Sequence, residues 1–209
     1  QKELSGDDIG VWMNFDTDAN EQVEVQMGVS FVSIANAREN LNAEQHGKNF
    51  DAIYNAARKQ WNDDLSRILV EGGTKTERTI FYTALYHTLI HPNILQDVNG
   101  QYPAMESNDI RTVSDGNRYT VFSLWDTYRA LHPLFNLFYP SRSKDIVASF
   151  LAHYRQSVHG LLPIWSHMAN ENWCMIGYHS VSVLADAVAK GLPLDKDEVL
   201  KAMVSSSTI

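Results

Sequence analysis

The chain has 209 residues, 44% of them hydrophobic, enough for one large domain with a packed core. Its formal net charge of −8, with no run of basic residues longer than a pair, argues against a nucleic-acid groove or an anionic membrane surface as partner. No apolar run reaches the roughly eighteen residues of a membrane span, and the single cysteine, Cys174, excludes an internal disulfide without fixing a redox compartment.

In the first thirty residues the pattern is that of strands. Val23, Val25, Met27, Val29 and Phe31 alternate with Gln22, Glu24, Gln26 and Ser30, and Val11, Met13 and Phe15 repeat the same period. Two antiparallel strands joined by the polar turn TDANE are expected, and since two strands cannot stand alone, they belong to a larger β-domain. The first residue is Gln1 rather than Met, and a helix begins at Asp195 with Glu198 as a capping-box partner, only a few turns from Ile209. The chain is therefore expected to be part of a longer polypeptide.

From Ala35 the period becomes helical. ANARENLNAEQ reads as one helix, and Phe50, Ile53, Tyr54, Ala57, Trp61, Leu65 and Ile68 form the stripe of a second, the two bridging neighbouring domains. After EGG at 71–73, Thr74 and Glu77 make a capping box for a helix that ends before Pro92. The turn dipeptides Asn99-Gly100 and Asp115-Gly116 predict a β-excursion with hairpin turns. Further helices are expected over 122–138, 143–159, 175–190 and from Asp195, the pattern of stacked α-hairpins.

Several residues invite a chemical reading. His87 and His91 have the i, i+4 spacing of zinc ligands but lack the rest of that signature, so packed or helix-terminal histidines are the simpler account. Cys174 reads as a buried small hydrophobe rather than a nucleophile. Asp126 stands beside Trp125 in the apolar run FSLWDTYRALHPL. It is either an N-cap or the partner of Arg129, or a carboxylate that accepts sugar hydroxyls beside an aromatic platform. The segment LLPIWSHMANENWCMIGYHS, with Trp165, His167, Asn170, Glu171 and Trp173, supplies flat apolar faces together with donors and acceptors, the equipment for a polyhydroxylated ring.

At these residues the sequence resembles the calcium-dependent exo-α-mannosidases of glycoside hydrolase family 92. The runs VSFVSIANARENLNAE, FDAIYNAARKQWNDDLSRILVEGG, RTIFYTALYHTLIHPNILQDVNGQY, YTVFSLWDTYRALHPL and NENWCMIGYHSVSVLADAVAKG carry the resemblance and span nearly the whole chain. It implies a mainly α fold with a small β part: the last strands of a β-sandwich over 1–34, a helical linker over 35–70, and over 71–209 the first part of an α/α six-hairpin toroid. It further implies inverting hydrolysis of terminal α-linked mannose from glycans, with calcium as cofactor and a periplasmic or secreted bacterial location. Trp125, Asp126, Asn170 and Glu171, with Trp165, His167 and Trp173, would form the substrate wall. The family's acid and base lie in Glu-Gly-Asn and Gly-Asp-Glu-Asp segments that do not occur here, so no catalytic residue is expected in this chain and the pair is expected beyond Ile209. Where the family often reads Gly-Asn-Glu-Thr, this chain reads Ala169-Asn170-Glu171-Asn172-Trp173. The alternatives are a non-catalytic carbohydrate-binding protein on the same fold, or another helical-toroid glycosidase such as a glucosidase or trehalase.

Overall fold

A computed structural model describes residues 5–168 and 170–208. Residues 1–4 of the expected β-domain lie outside the described residues. Eight helices and six short strands follow one another in it.

The two expected N-terminal strands are not formed. Residues 9–32 enter no sheet, and Val11, Trp12, Met13, Phe15, Val25 and Met27 are exposed. A strand is stabilised by cross-strand partners, and here the two alternating segments do not pair with each other. Only their turn appears, with the Glu21 N–H donating to the Asp18 carbonyl at 3.1 Å.

The next helices follow local signals closely. Helix α1, Ile34–Gln45, is capped by Ser33, whose hydroxyl accepts the Asn36 N–H at 3.0 Å, and α2, Phe50–Leu65, by Asn49. Helix α3, Lys75–Thr88, has both bonds of the Thr74–Glu77 capping box, at 3.2 and 2.7 Å. Trp61 of α2 packs on Tyr86 of α3, ring centroids 4.5 Å apart.

The β-excursion is nested. β1 (Asn93–Ile94) pairs antiparallel with β4 (Tyr119–Thr120), and β2 (Gln101–Pro103) with β3 (Ile110–Thr112) inside it. Asn99-Gly100 and Asp115-Gly116 therefore sit at the corners between the two ladders instead of at hairpin tips. Gly100 has φ +82° and Gly116 φ +70°, conformations that favour glycine.

The single helix expected over 122–138 is broken in two: α4, Leu124–Thr127, and α5, Leu131–Phe138. Pro133 explains the break. A proline inside a continuous helix would lack its amide donor and press on the carbonyl four residues back, whereas in the first turn of α5 that donor is not needed. Asp126 and His132 are consequently on different helices.

Helix α6, Pro140–Gln156, starts on a proline in the same way. A two-residue hairpin, β5 (Ser166–His167) with β6 (Asn170–Glu171), precedes α7, His179–Ala189, and α8, Lys196–Ser207. The N-cap of α8 is Asp195, whose carboxylate accepts from Asp197 and Glu198 amides at 3.0 and 3.1 Å. The Glu198 side chain goes instead to Arg155 of α6. Phe135, Ile146, Val147, Phe150, Val183, Leu184, Val199 and Ala202 of α5 to α8 make the main core, together with Phe122 and Leu124.

Candidate functional site

The described residues place the sugar-wall candidates on two segments that meet at one backbone bond. The Phe122 N–H, just before α4, donates to the Ser166 carbonyl of β5 at 2.9 Å. Ser123, Trp165 and His167 then line a common cavity of about 360 Å³ with His87, His91 and His132.

Trp125 and Asp126 are both exposed on α4, contrary to the buried setting that the apolar run suggested. Asp126 is not an N-cap, since Ser123 holds that position, and no ion pair joins it to Arg129 among the described residues. Its one side-chain partner there is the Ser123 hydroxyl, which donates to Oδ2 at 2.5 Å. A carboxylate held by a single hydroxyl beside a half-open indole keeps acceptor capacity for a ligand.

The second segment is organised from within by Glu171. Its side chain is 1% exposed. Oε1 accepts the amides of Trp165 at 2.9 Å and of Asn172 and Trp173, both at 3.1 Å, and Oε2 accepts that of Ile164 at 2.7 Å. The structure thus turns Glu171 inward as the anchor of the loop, whereas the sequence placed it on the wall. Its backbone ties shape the chain around Trp165 and Trp173.

The remaining candidates are positioned singly. The Trp165 indole donates to His167 Nε2 at 2.7 Å, so that ring is held with Nε2 as acceptor. Exposed Asn170 accepts the Glu106 amide at 2.9 Å, which links the loop to the β2–β3 connection. Trp173 is about half exposed, has φ +56°, and meets His159 edge-on at 6.2 Å. Tyr128 stacks on His179 with centroids 4.5 Å apart, closing the gap between α4 and α7. Cys174 is exposed rather than buried.

Sequence reasoning missed His153 on α6. Its Nδ1 bonds the Leu161 carbonyl at 3.1 Å and must be the donor, because a carbonyl only accepts. Among the described residues Nε2 has no hydrogen-bond partner, and it lies 3.8 Å from Glu171 Oε2. Burial pushes its pKa below the usual histidine range against the opposing pull of the Leu161 bond and Glu171. The buried stripe Ile146, Val147, Phe150, His153 was the available signal, since it sets a titratable ring on the core face of a helix.

Among the described residues no three of His, Cys, Asp and Glu are grouped to hold a metal ion, so His87 and His91 gain no third ligand from the fold. No helix among the described residues is long and apolar enough to cross a membrane.

An exposed indole and carboxylate thus share one helical turn, beside an aromatic-rich loop tied together by the buried Glu171 carboxylate, on a mainly helical fold. The glycosyl hydrolase family 92 catalytic domain matches residues 36–209, and the chain belongs to that family. An α-mannosidase of the family from Bacteroides thetaiotaomicron, solved in complex with mannoimidazole, is 43% identical with a TM-score of 0.81 over 86% of this chain and 23% of its own. An inverting mannosidase of the family from the same organism is 37% identical, with a TM-score of 0.77 over 84% of this chain and 24% of its own. The family member ccman5 is 26% identical, with a TM-score of 0.65 over 84% of this chain and 23% of its own. None of the curated proteins matches the chain. The chain thus spans about a quarter of the length of these solved relatives.

Proposed function

We propose that the chain is the substrate-wall part of an inverting, exo-acting α-mannosidase that removes terminal α-linked mannose from glycans. Family membership supports the reading, and the exposed Trp125–Asp126 pair on α4 carries it. Asp126 accepts hydroxyl hydrogen bonds of the terminal mannose, and Trp125 packs an apolar face against its C–H patches. Trp165, His167, Asn170 and Trp173 extend the wall, while Glu171 keeps their loop in shape.

In such an enzyme one carboxylic acid protonates the leaving oxygen while a carboxylate base activates water on the opposite face of the ring. That pair is proposed to lie on segments outside residues 1–209, with calcium as the cofactor. The proposed organisation is the end of a β-sandwich over 1–34, a linker over 35–70 and the beginning of an α/α toroid over 71–209, within a longer polypeptide that is periplasmic or secreted. The contribution of this chain is binding and orientation.

Replacing Asp126 by Ala in the polypeptide that carries these residues tests the reading. Loss of a charged hydrogen-bond acceptor costs about 1.5–3 kcal/mol, so kcat/KM on an α-mannoside is expected to fall roughly ten- to a hundredfold. An unchanged value removes the proposed role of Asp126.

A further inference from the structure

Away from the sugar wall, between the β2–β3 hairpin and α6, lies a cavity of about 480 Å³ that shares no lining residue with the one beside Trp165. Three arginines line it, Arg111, Arg118 and Arg155, in a chain whose net charge is −8. The single acid among its lining residues, Asp115, is already engaged by Lys144 at 3.0 Å. Arg155 is paired with Glu198, and Arg111, exposed on β3, has no ion-pair partner among the described residues.

Arg118 is the exceptional member. It is only 4% exposed, one of its terminal nitrogens donates to the Ser149 carbonyl, and its plane lies over the Tyr102 ring at 5.5 Å. Among the described residues Nε has no hydrogen-bond partner and the guanidinium forms no ion pair with a carboxylate. Desolvation lowers its pKa to about 10, with Arg155 contributing in the same direction. A buried guanidinium is ordinarily paired, because its desolvation is otherwise uncompensated.

We propose that this cavity binds a tetrahedral oxyanion, a phosphate or sulfate group either free or carried on a sugar, through Arg118 with Arg111 and Arg155. Guanidinium forks match the tetrahedral oxyanion with paired N–H bonds, which an ammonium cannot reproduce. The cavity is larger than an inorganic oxyanion needs, so a sugar bearing the group also fits.

The test is calorimetric titration of the polypeptide carrying these residues with inorganic phosphate and with a hexose phosphate, at constant ionic strength set with chloride. Saturable binding of either probe is expected, weakened at least tenfold by Arg118→Gln and severalfold by Arg111→Gln. Arg111 is exposed, so its variant remains informative if Arg118→Gln does not fold. A hexose phosphate bound at least tenfold more tightly than inorganic phosphate assigns the anion to a sugar, and equal affinities assign a free oxyanion. Absence of saturable binding, or binding unaffected by both variants, overturns the proposal and leaves the guanidinium neutralised from elsewhere in the polypeptide.

Discussion

His153 Nε2 faces Glu171 Oε2 at 3.8 Å inside the core, with neither side chain more than 2% exposed. The imidazole is neutral in this arrangement, its one proton on Nδ1 toward Leu161, and the carboxylate is held by four backbone amides rather than by a cation. Removing that carboxylate strands the amides of Ile164, Trp165, Asn172 and Trp173. Glu171→Ala is expected to destabilise the fold by about 3 kcal/mol, read as a shift in the denaturation midpoint. Glu171→Gln, which keeps one acceptor and adds a donor facing His153 Nε2, should cost less than the alanine variant. Equal losses would contradict the division of labour between the two oxygens.

Stability should fall on acidification. Burial lowers the pKa of His132 from 6.5 to about 4, so between these values the unfolded chain binds a proton that the folded chain does not. Stability is thus complete above pH 6.5 and lost progressively toward pH 4, by about 3 kcal/mol for this residue. His153 is lowered as well and acts with the same sign; Glu171 and Glu106 oppose its shift, while Arg118 reinforces it. Melting temperatures between pH 7 and pH 4.5 measure the slope, and His132→Leu should flatten it.

Ser123 holds Asp126 through its hydroxyl. Ser123→Ala should leave the fold intact and lower kcat/KM on an α-mannoside about fivefold, roughly 1 kcal/mol for one hydrogen bond. The effect should vanish in an Asp126→Ala background, because the serine acts through that carboxylate. Additive losses in the double variant would assign Ser123 a separate role.

Asp97 joins α1 to the β-excursion. Its Oδ2 accepts from Ser30 at 2.7 Å and Asn36 at 2.8 Å, and its Oδ1 from Asn40 at 2.7 Å. Asp97→Ala should cost about 2–3 kcal/mol and raise amide exchange in α1 selectively, since two buried asparagine amides each lose one of their two acceptors. Uniform exchange across α1 and α6 would show that the contact does not localise α1.

The sequence alone determined the elements whose cause is local. Ser33, Asn49 and Thr74 cap helices within three residues of themselves, and the apolar stripes of α6 and α7 follow the helical period, whereas the pattern carried one helix through Pro133 and started the next after Pro140. The runs around Trp125, Asp126 and Glu171 were also sufficient to indicate the family that residues 36–209 match. What only the tertiary structure decided depends on partners far along the chain. Glu171 reads as a surface carboxylate until α6 brings His153 to it across eighteen positions and its own loop folds back on it. Arg118 carries no signal in the sequence, and only the fold encloses it between Ser149 and Tyr102. The alternating residues before Ala35 remain unpaired in a sheet for the complementary reason: a period of two fixes which faces a strand would have, and the hydrogen bonds that make it a strand must come from another one.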